Sequence, residues 1–328
     1  MKFKLFLLTL LICSSSFGQS LPELRHADKI RIKEAMAIST EFGDKLFQGY
    51  STVPFAIILV TDSTEFLINH PNPSSDFKLL GTDYILKTNI YYRKTQFSPH
   101  ILATFPAVNG LSCSVVGTPE NTNTNSTEWV IYLLHEHFHQ YQMTDPEYFK
   151  SVDDLDLSGG DQTGKWMLNY PFPYDSLPVM EQYELYTKAL YKAVTQGNKS
   201  NLKKYFAERR KLRKILSDTD YRYLSFQIWQ EGLAKYTEYN FLELLENYSP
   251  SKEMVALPDF ISFPEYKSKM YQNEIENLLQ NKLDETKRVC FYSVGFAEGI
   301  LLDKLSKSWR EKYLIDKFYI EHYSKKYD

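Results

Sequence analysis

This chain is short of cysteine, histidine and long apolar runs, and each shortage narrows what it can be. Three cysteines in 328 residues exclude a disulfide-dense scaffold. Beyond the first eighteen residues no apolar stretch reaches membrane-spanning length, so no membrane span is expected in the mature chain. There is no internal repeat and no low-complexity tract. Charge of either sign is scarcely in excess: 38 Lys+Arg stand against 41 Asp+Glu, and no basic patch argues for nucleic acid as a partner. The one basic run, KKYFAERRKLRK (Lys203 to Lys214), has helical spacing, with Tyr205, Phe206, Leu212 and Ile215 available for a buried side. It reads as a solvated helix face. Proline and glycine are absent from Asn121 to Asp145, a stretch singled out below as helix.

Residues 1–18, MKFKLFLLTLLICSSSFG, carry Lys2 and Lys4, then the apolar run Leu5 to Ile12, then the small-x-small pattern Ser16-Phe17-Gly18. This pattern reads as a secretory signal peptide, and it predicts export to a periplasmic or extracellular space. Lipidation at Cys13 would call for a small residue before it, where Ile12 stands. Cleavage leaves about 310 residues, enough for one large domain or two lobes. It takes the formal charge from −3 to near −5 and leaves Cys113 and Cys290. An even pair in an exported protein permits one disulfide; two separate buried thiols are the alternative.

The expected organisation is α+β. Residues 22–49 have helical periodicity and end near Gly49. Pro54 to Asn69 reads as a hairpin, turning at Asp62-Ser63. Further strands are expected over Asp83 to Phe97, His100 to Val108 and Leu111 to Gly117, which makes about five. A polar tract, Thr118 to Asn125, leads into a helix that runs to about Met143. Residues 146–178 are rich in Pro, Gly, Asp and aromatics and read as a long irregular loop. Helices are expected near 179–196, 199–216, 219–246, 262–283, 287–306 and 308–324. So a mixed sheet comes first, in residues 19–145, and an all-helical part follows in residues 146–328.

The helix before Asp145 is where the scarce histidines collect. Three of the protein's 7 fall within TEWVIYLLHEHFHQYQM, as His135, His137 and His139. His135, Glu136 and His139 form the pattern H-E-x-x-H. On a helix, the two outer imidazoles lie one turn apart on one face, the spacing needed to hold one small tetrahedral cation such as zinc. Glu136 follows the first ligand and can take a proton from water at the same ion. Ser126 or Thr127 is placed to cap this helix, with Glu128 in its first turn. His137 points off the ligand face and is expected to hydrogen-bond or meet solvent. The ordinary alternative is an incidental motif in a metal-free exported structural protein. Against it, three His and a Glu on an apolar helix entering a core require partners.

Catalytic zinc usually takes three protein ligands. Glu231, in WQEGLAKYTEY (Trp229 to Tyr239), is the best third, with Leu233, Ala234 and Tyr236 packing nearby and Glu238 two turns on. Gly232 costs about 1 kcal/mol in a helix relative to Ala, which suggests that something approaches the backbone closely there. Glu181 and Glu184 are rival ligands. Here the sequence resembles a known group: H-E-x-x-H followed by a W-x-E-G-[FL]-A-x-Y-x-E helix is similar to the gluzincin zinc metallopeptidases, and in motif closest to the aminopeptidase N-like and glycyl aminopeptidase-like families. The resemblance implies a zincin-like fold, one catalytic Zn2+, and Glu231 as third ligand. Tyr292-Ser293-Val294-Gly295 resembles those families' Y-x-x-G segment, which implies that Tyr292 stabilises the oxyanion.

The match covers three short segments within residues 125–306. It departs from the family pattern in two ways: 91 residues separate His139 from Glu231, and the G-A-M-E-N motif that holds a substrate's free amine is missing. The implied activity is peptide-bond hydrolysis on a peptide or protein substrate, with Glu136 as general base toward a zinc-bound water. A substrate is expected along an edge strand, for which Leu111 to Gly117 is the candidate. A zinc-binding protein that is not a peptidase is the alternative, either a hydrolase of another substrate or a binding module.

Overall fold

The computed structural model describes residues 21–324; the expected signal peptide lies outside them. The described part opens with helix α1 (His26–Leu46) and a 3-10 turn at Tyr50–Thr52. Six strands follow: β1 (Ile57–Val60), β2 (Thr64–Ile68), β3 (Lys78–Asp83), β4 (Thr88–Lys94), β5 (Leu102–Val108) and β6 (Leu111–Gly117). They form one mixed sheet in the order β3-β4-β2-β1-β6-β5. Only the β1–β6 pair is parallel, with Ile57 opposite Ser114 and Val60 opposite Gly117.

The alternation along β1 shows why the sheet sits where it does. Ile57 and Leu59 face a core shared with the helices, while Ile58 and Val60 face a smaller one with Leu67, Phe77, Val108, Cys113 and Val115. A central strand apolar on both sides is buried on both. The sequence expectation of about five strands missed β3. Its residues KLLGTD alternate poorly and are largely exposed, as suits an outer edge. The expected strand from Asp83 begins later, because Asp83 accepts hydrogen bonds from the Ile85 and Leu86 N–H groups at 2.9 Å and turns the backbone.

The motif helix, α2, spans Ser126–Gln142. Its cap is neither Ser126 nor Thr127 but Asn125, whose side chain accepts from the Glu128 N–H at 3.0 Å. Ser126 and Thr127 instead tie the helix start to a distant segment. The Asp259 carboxylate accepts from the Ser126 N–H (2.9 Å) and hydroxyl (2.5 Å), and the Thr127 hydroxyl donates to the Ile261 carbonyl (2.5 Å). Trp129 pins the same end to the sheet by donating to the Gly117 carbonyl at 2.8 Å.

The second half is helical, as its periodicity predicts: α3 (Leu177–Gln196), α4 (Lys199–Ile215), α5 (Asp218–Gln227), α6 (Leu233–Leu244), α7 (Phe263–Gln280) and α8 (Cys290–Leu305). Short helical turns occupy Tyr148–Asp153 and Trp166–Asn169 within the expected loop. On α4, Tyr205, Phe206 and Leu212 are buried as expected, but Ile215 is 44% exposed. Arg209 goes inward instead, between Glu298 (3.1 Å) and Glu321 (3.0 Å). The helix expected over 308–324 is replaced by 3-10 turns at Trp309–Lys312 and Ile320–Ser324. Phe318 adopts a left-handed φ of 71°, which breaks the helix and returns Ile320 and Tyr323 to the core. Cys113 and Cys290 are both free and buried, Cys113 in the smaller core and Cys290 in the larger one. Burial pushes each thiol up to about 12.

Candidate metal centre

The last two turns of α2 carry His135 and His139 on one face, and that face meets the junction between α5 and α6. Residues Ile228–Gly232 there form a π-helical turn. A π-turn inserts one residue into a helix and swings the following side chain out of the α-helical register. Glu231 occupies this turn and reaches both imidazoles. Its Oε2 lies 3.7 Å from His135 Nε2 and 3.5 Å from His139 Nε2, and the two Nε2 atoms are 3.1 Å apart. One donor atom from each of the three residues falls within 4.8 Å of the others. Ligands about 2.0–2.1 Å from one zinc ion at tetrahedral angles are roughly 3.2–3.4 Å from each other, so this spacing suits a small cation.

The far sides of the imidazoles are committed in the way a metal ligand requires. His135 Nδ1 lies 2.6 Å from Glu238 Oε1, and an ionised carboxylate only accepts, so the proton is on Nδ1 and the Nε2 lone pair faces inward. Lys235 in turn pairs with Glu238 at 2.8 Å. Burial opposes ionisation of Glu238, and Lys235 outweighs it, holding the carboxyl below its usual range. His139 Nδ1 lies 2.7 Å from Gln142 Oε1, with Gln230 Nε2 farther off at 3.1 Å. Gln142 is oriented by its own amide, which donates to the Tyr313 hydroxyl (2.7 Å) and the Gln230 carbonyl (3.1 Å). Two inward lone pairs at 3.1 Å repel unless a proton or a metal ion stands between them. Burial opposes a proton on His135, but Glu231 and Glu238 outweigh it and raise that imidazole to about 9. Burial likewise opposes a charged Glu231, yet the two imidazoles hold it well below the carboxylate range. The triad therefore draws positive charge, and its residues fit a metal ion.

Glu136 is buried beside the triad. The Thr104 hydroxyl on β5 lies 2.7 Å from its Oε2 and 2.9 Å from its main-chain carbonyl. Tyr292, on α8, has its ring parallel to that of His135 within 8°, with centroids 6.4 Å apart. Burial, then the Glu231 charge, raise its hydroxyl well above the usual phenol value, so it stays a proton donor. α8 comes this close through a glycine contact. A Cβ on Gly232 would meet the Gly295 Cα at 2.5 Å. That is the close approach expected at Gly232.

The other expectations sort cleanly. Glu181 and Glu184 are exposed on α3, and Glu184 pairs with Lys188, so neither reaches the triad. His137 is no ligand: it is buried, stacked on Phe55 at 3.8 Å, and bonded to Gln140 at 2.7 Å. Burial lowers it to about 4, and it is neutral. β6 is not an edge strand, since β1 and β5 flank it; the edge beside α2 is β5. Sequence reasoning missed Thr104, Gln142, Gln230 and Arg288, and it noted Glu238 without a role. The available signals were spacing alone: Gln142 stands three residues after His139, and Glu238 seven after Glu231. A cavity of about 420 Å³, lined in part by Arg25, Asp28, Thr61 and Glu120, holds none of these residues.

No protein-family model matches this sequence, and neither a characterised protein nor a solved structure does.

Proposed function

We propose that this protein is an exported zinc metallopeptidase of the gluzincin type, with the sheet and α2 on one side of its cleft and the helical half on the other. The carrying observation is the convergence of His135, His139 and Glu231, from two segments 91 residues apart, with Glu136 beside them. His135, His139 and Glu231 would hold the ion. When bound, zinc supplies a Lewis acid and brings water on it toward a pKa of about 7. Glu136, steadied by Thr104, accepts a proton from the attacking water and passes it to the leaving amine. Tyr292 would donate to the developing oxyanion. A peptide would add to the β5 edge by strand pairing, next to the Thr104 that holds Glu136.

The test is the zinc-to-protein ratio of the purified protein beside Glu231→Ala and Glu136→Gln, with turnover on unfolded proteins and short peptides. Near one zinc in the wild type and in Glu136→Gln, clear loss in Glu231→Ala, and turnover abolished in both variants is the expected pattern. Undiminished peptidase activity in Glu136→Gln would sink the reading.

A further inference from the structure

One cation beside the triad is not paired with a carboxylate. Arg288 stands four residues before Tyr292, and its Nη1 donates to the Tyr292 hydroxyl at 3.0 Å. Among the described residues no carboxylate forms an ion pair with its guanidinium. Lys235, the other cation near the triad, is spent on Glu238. A guanidinium carries five N–H donors in a rigid fork, so Arg288 keeps four to offer. The side chain is only partly buried, and solvent or a ligand can reach it.

Its hydrogen-bond partner Tyr292 has its ring parallel to that of His135, which makes Arg288 a neighbour of the triad. Burial opposes its charge, but the neighbouring Tyr292 and Glu231 favour it and raise the guanidinium above its ordinary value. Tyr223 and Tyr174 both feel the Arg288 charge, and Tyr223 also feels Glu231. Tyr223 is not free to turn toward a ligand, because its hydroxyl donates to the Met167 carbonyl at 2.9 Å. Arg288 thus stands one hydrogen bond from the ring that lies parallel to His135, with an open fork and no ion-paired anion of the protein's own.

We propose that Arg288 binds a carboxylate of the substrate next to the bond being cut, so that the substrates are peptides carrying a carboxylate at that point. This rests on the peptidase reading above. The carboxylate has two sources, the free C-terminus of a peptide or an Asp or Glu side chain, and both fit a guanidinium fork in the same bidentate way. Arg288 is then a specificity residue. Its contact with Tyr292 couples recognition of the anion to the group that meets the oxyanion.

The experiment uses the full exported protein loaded with zinc. Matched peptides with a free or amidated C-terminus, and with an internal Glu or Gln, are compared on wild type, Arg288→Gln and Arg288→Lys. Zinc content and melting temperature are measured on each variant to show that the site and fold persist. Wild type is expected to favour one carboxylate-bearing pair by about 10- to 100-fold in kcat/KM, the worth of a charge-assisted hydrogen bond. Arg288→Gln should erase that preference mainly through KM, and Arg288→Lys should keep part of it. The pair that responds identifies the source of the carboxylate. A wild type that cleaves peptides without regard to their carboxylates overturns the proposal. So does an Arg288→Gln that slows acidic and neutral peptides alike, because that is the mark of a group that only positions Tyr292. If no peptide is cleaved the peptidase reading fails, and calorimetry decides Arg288 separately. In one of two pairs, an N-acetyl dipeptide carboxylate against its amide or an amidated Glu dipeptide against its Gln counterpart, the carboxylate should then bind zinc-loaded wild type at least about tenfold tighter. Equal binding in both pairs would reject the assignment.

Discussion

Glu238 and Gln142 never touch the candidate metal position, yet they decide what the imidazoles present to it. Each accepts the Nδ1 proton of one histidine and leaves the Nε2 lone pair inward. Removing such a partner commonly weakens metal binding by about 10- to 100-fold. We expect Glu238→Gln and Gln142→Leu each to lower zinc affinity by about that much while the fold persists, measured by competition with a chromophoric chelator. Glu238→Gln should also expose the cost of Lys235, whose part-buried ammonium then lacks its counter-charge. A second residue-scale prediction concerns acid. His70 Nδ1 accepts from the Asn72 N–H at 3.1 Å, and its Nε2 lies 3.3 Å from the Val108 carbonyl, an arrangement that only the neutral ring satisfies. Burial lowers its pKa. A histidine lowered on folding contributes stability that is present above the unfolded value, about 6.5, and is lost as pH falls through the lower folded value. The melting temperature of the wild type should therefore fall more steeply below about pH 6.5 than that of His70→Gln. Parallel acid limbs would remove His70 from the account.

At the scale of elements, the π-turn and the glycine contact act together. The turn swings Glu231 toward α2, and the Gly232–Gly295 contact lets α8 approach until Tyr292 and Arg288 border the same ligands. A Cβ on Gly295 would lie 2.4 Å from the Gly232 Cα, against backbone that has no flexible end to give way. Gly295→Ala should cost about 1–3 kcal/mol by overpacking. It should lower the melting temperature by several degrees and depress turnover with it, because Tyr292 moves with the helix. A stable, fully active Gly295→Ala would show that the crossing has slack. This arrangement was half legible beforehand. Gly232 within a helical pattern announced a close approach, but nothing in the local sequence names Gly295 as the partner. The missed β3 and the false helix over 308–324 have the same origin. An exposed outer strand lacks alternation, and Trp309 and Tyr313 are spaced like a helix face although Phe318 then turns the backbone around.

Across the whole molecule, one core joins the two halves that composition separates. Ile57, Leu59 and Phe66 of the sheet, Trp129 and Phe138 of α2, and Trp229, Phe291 and Trp309 of the helical half belong to a single buried cluster. Polar contacts cross the same boundary: Glu34 on α1 accepts from the Tyr248 hydroxyl at 2.9 Å and from the Ser251 hydroxyl at 2.7 Å. Residues 146–328 should not hold together once the sheet is lost. We expect far-UV circular dichroism and tryptophan fluorescence to give coincident denaturant transitions. A protease-resistant fragment beginning near residue 146 would show that the halves fold independently.

Sequence alone left Glu231 as the first of three candidate partners, but it determined the α+β class, most helices and the H-E-x-x-H face. Those features rest on periodicity, caps and ligand chemistry, which operate over a few residues. Tertiary structure decided the rest. It set β5 rather than β6 at the sheet edge, because the parallel β1–β6 pairing buries β6 between its neighbours. It discarded Glu181 and Glu184, whose helix turns them to solvent. It assembled Thr104, Gln142, Glu238 and Arg288 around the candidate ligands. Those four come from four separate elements, and only the packing of the protein on itself, through side-chain volume and glycine contacts far apart in sequence, brings them to one place.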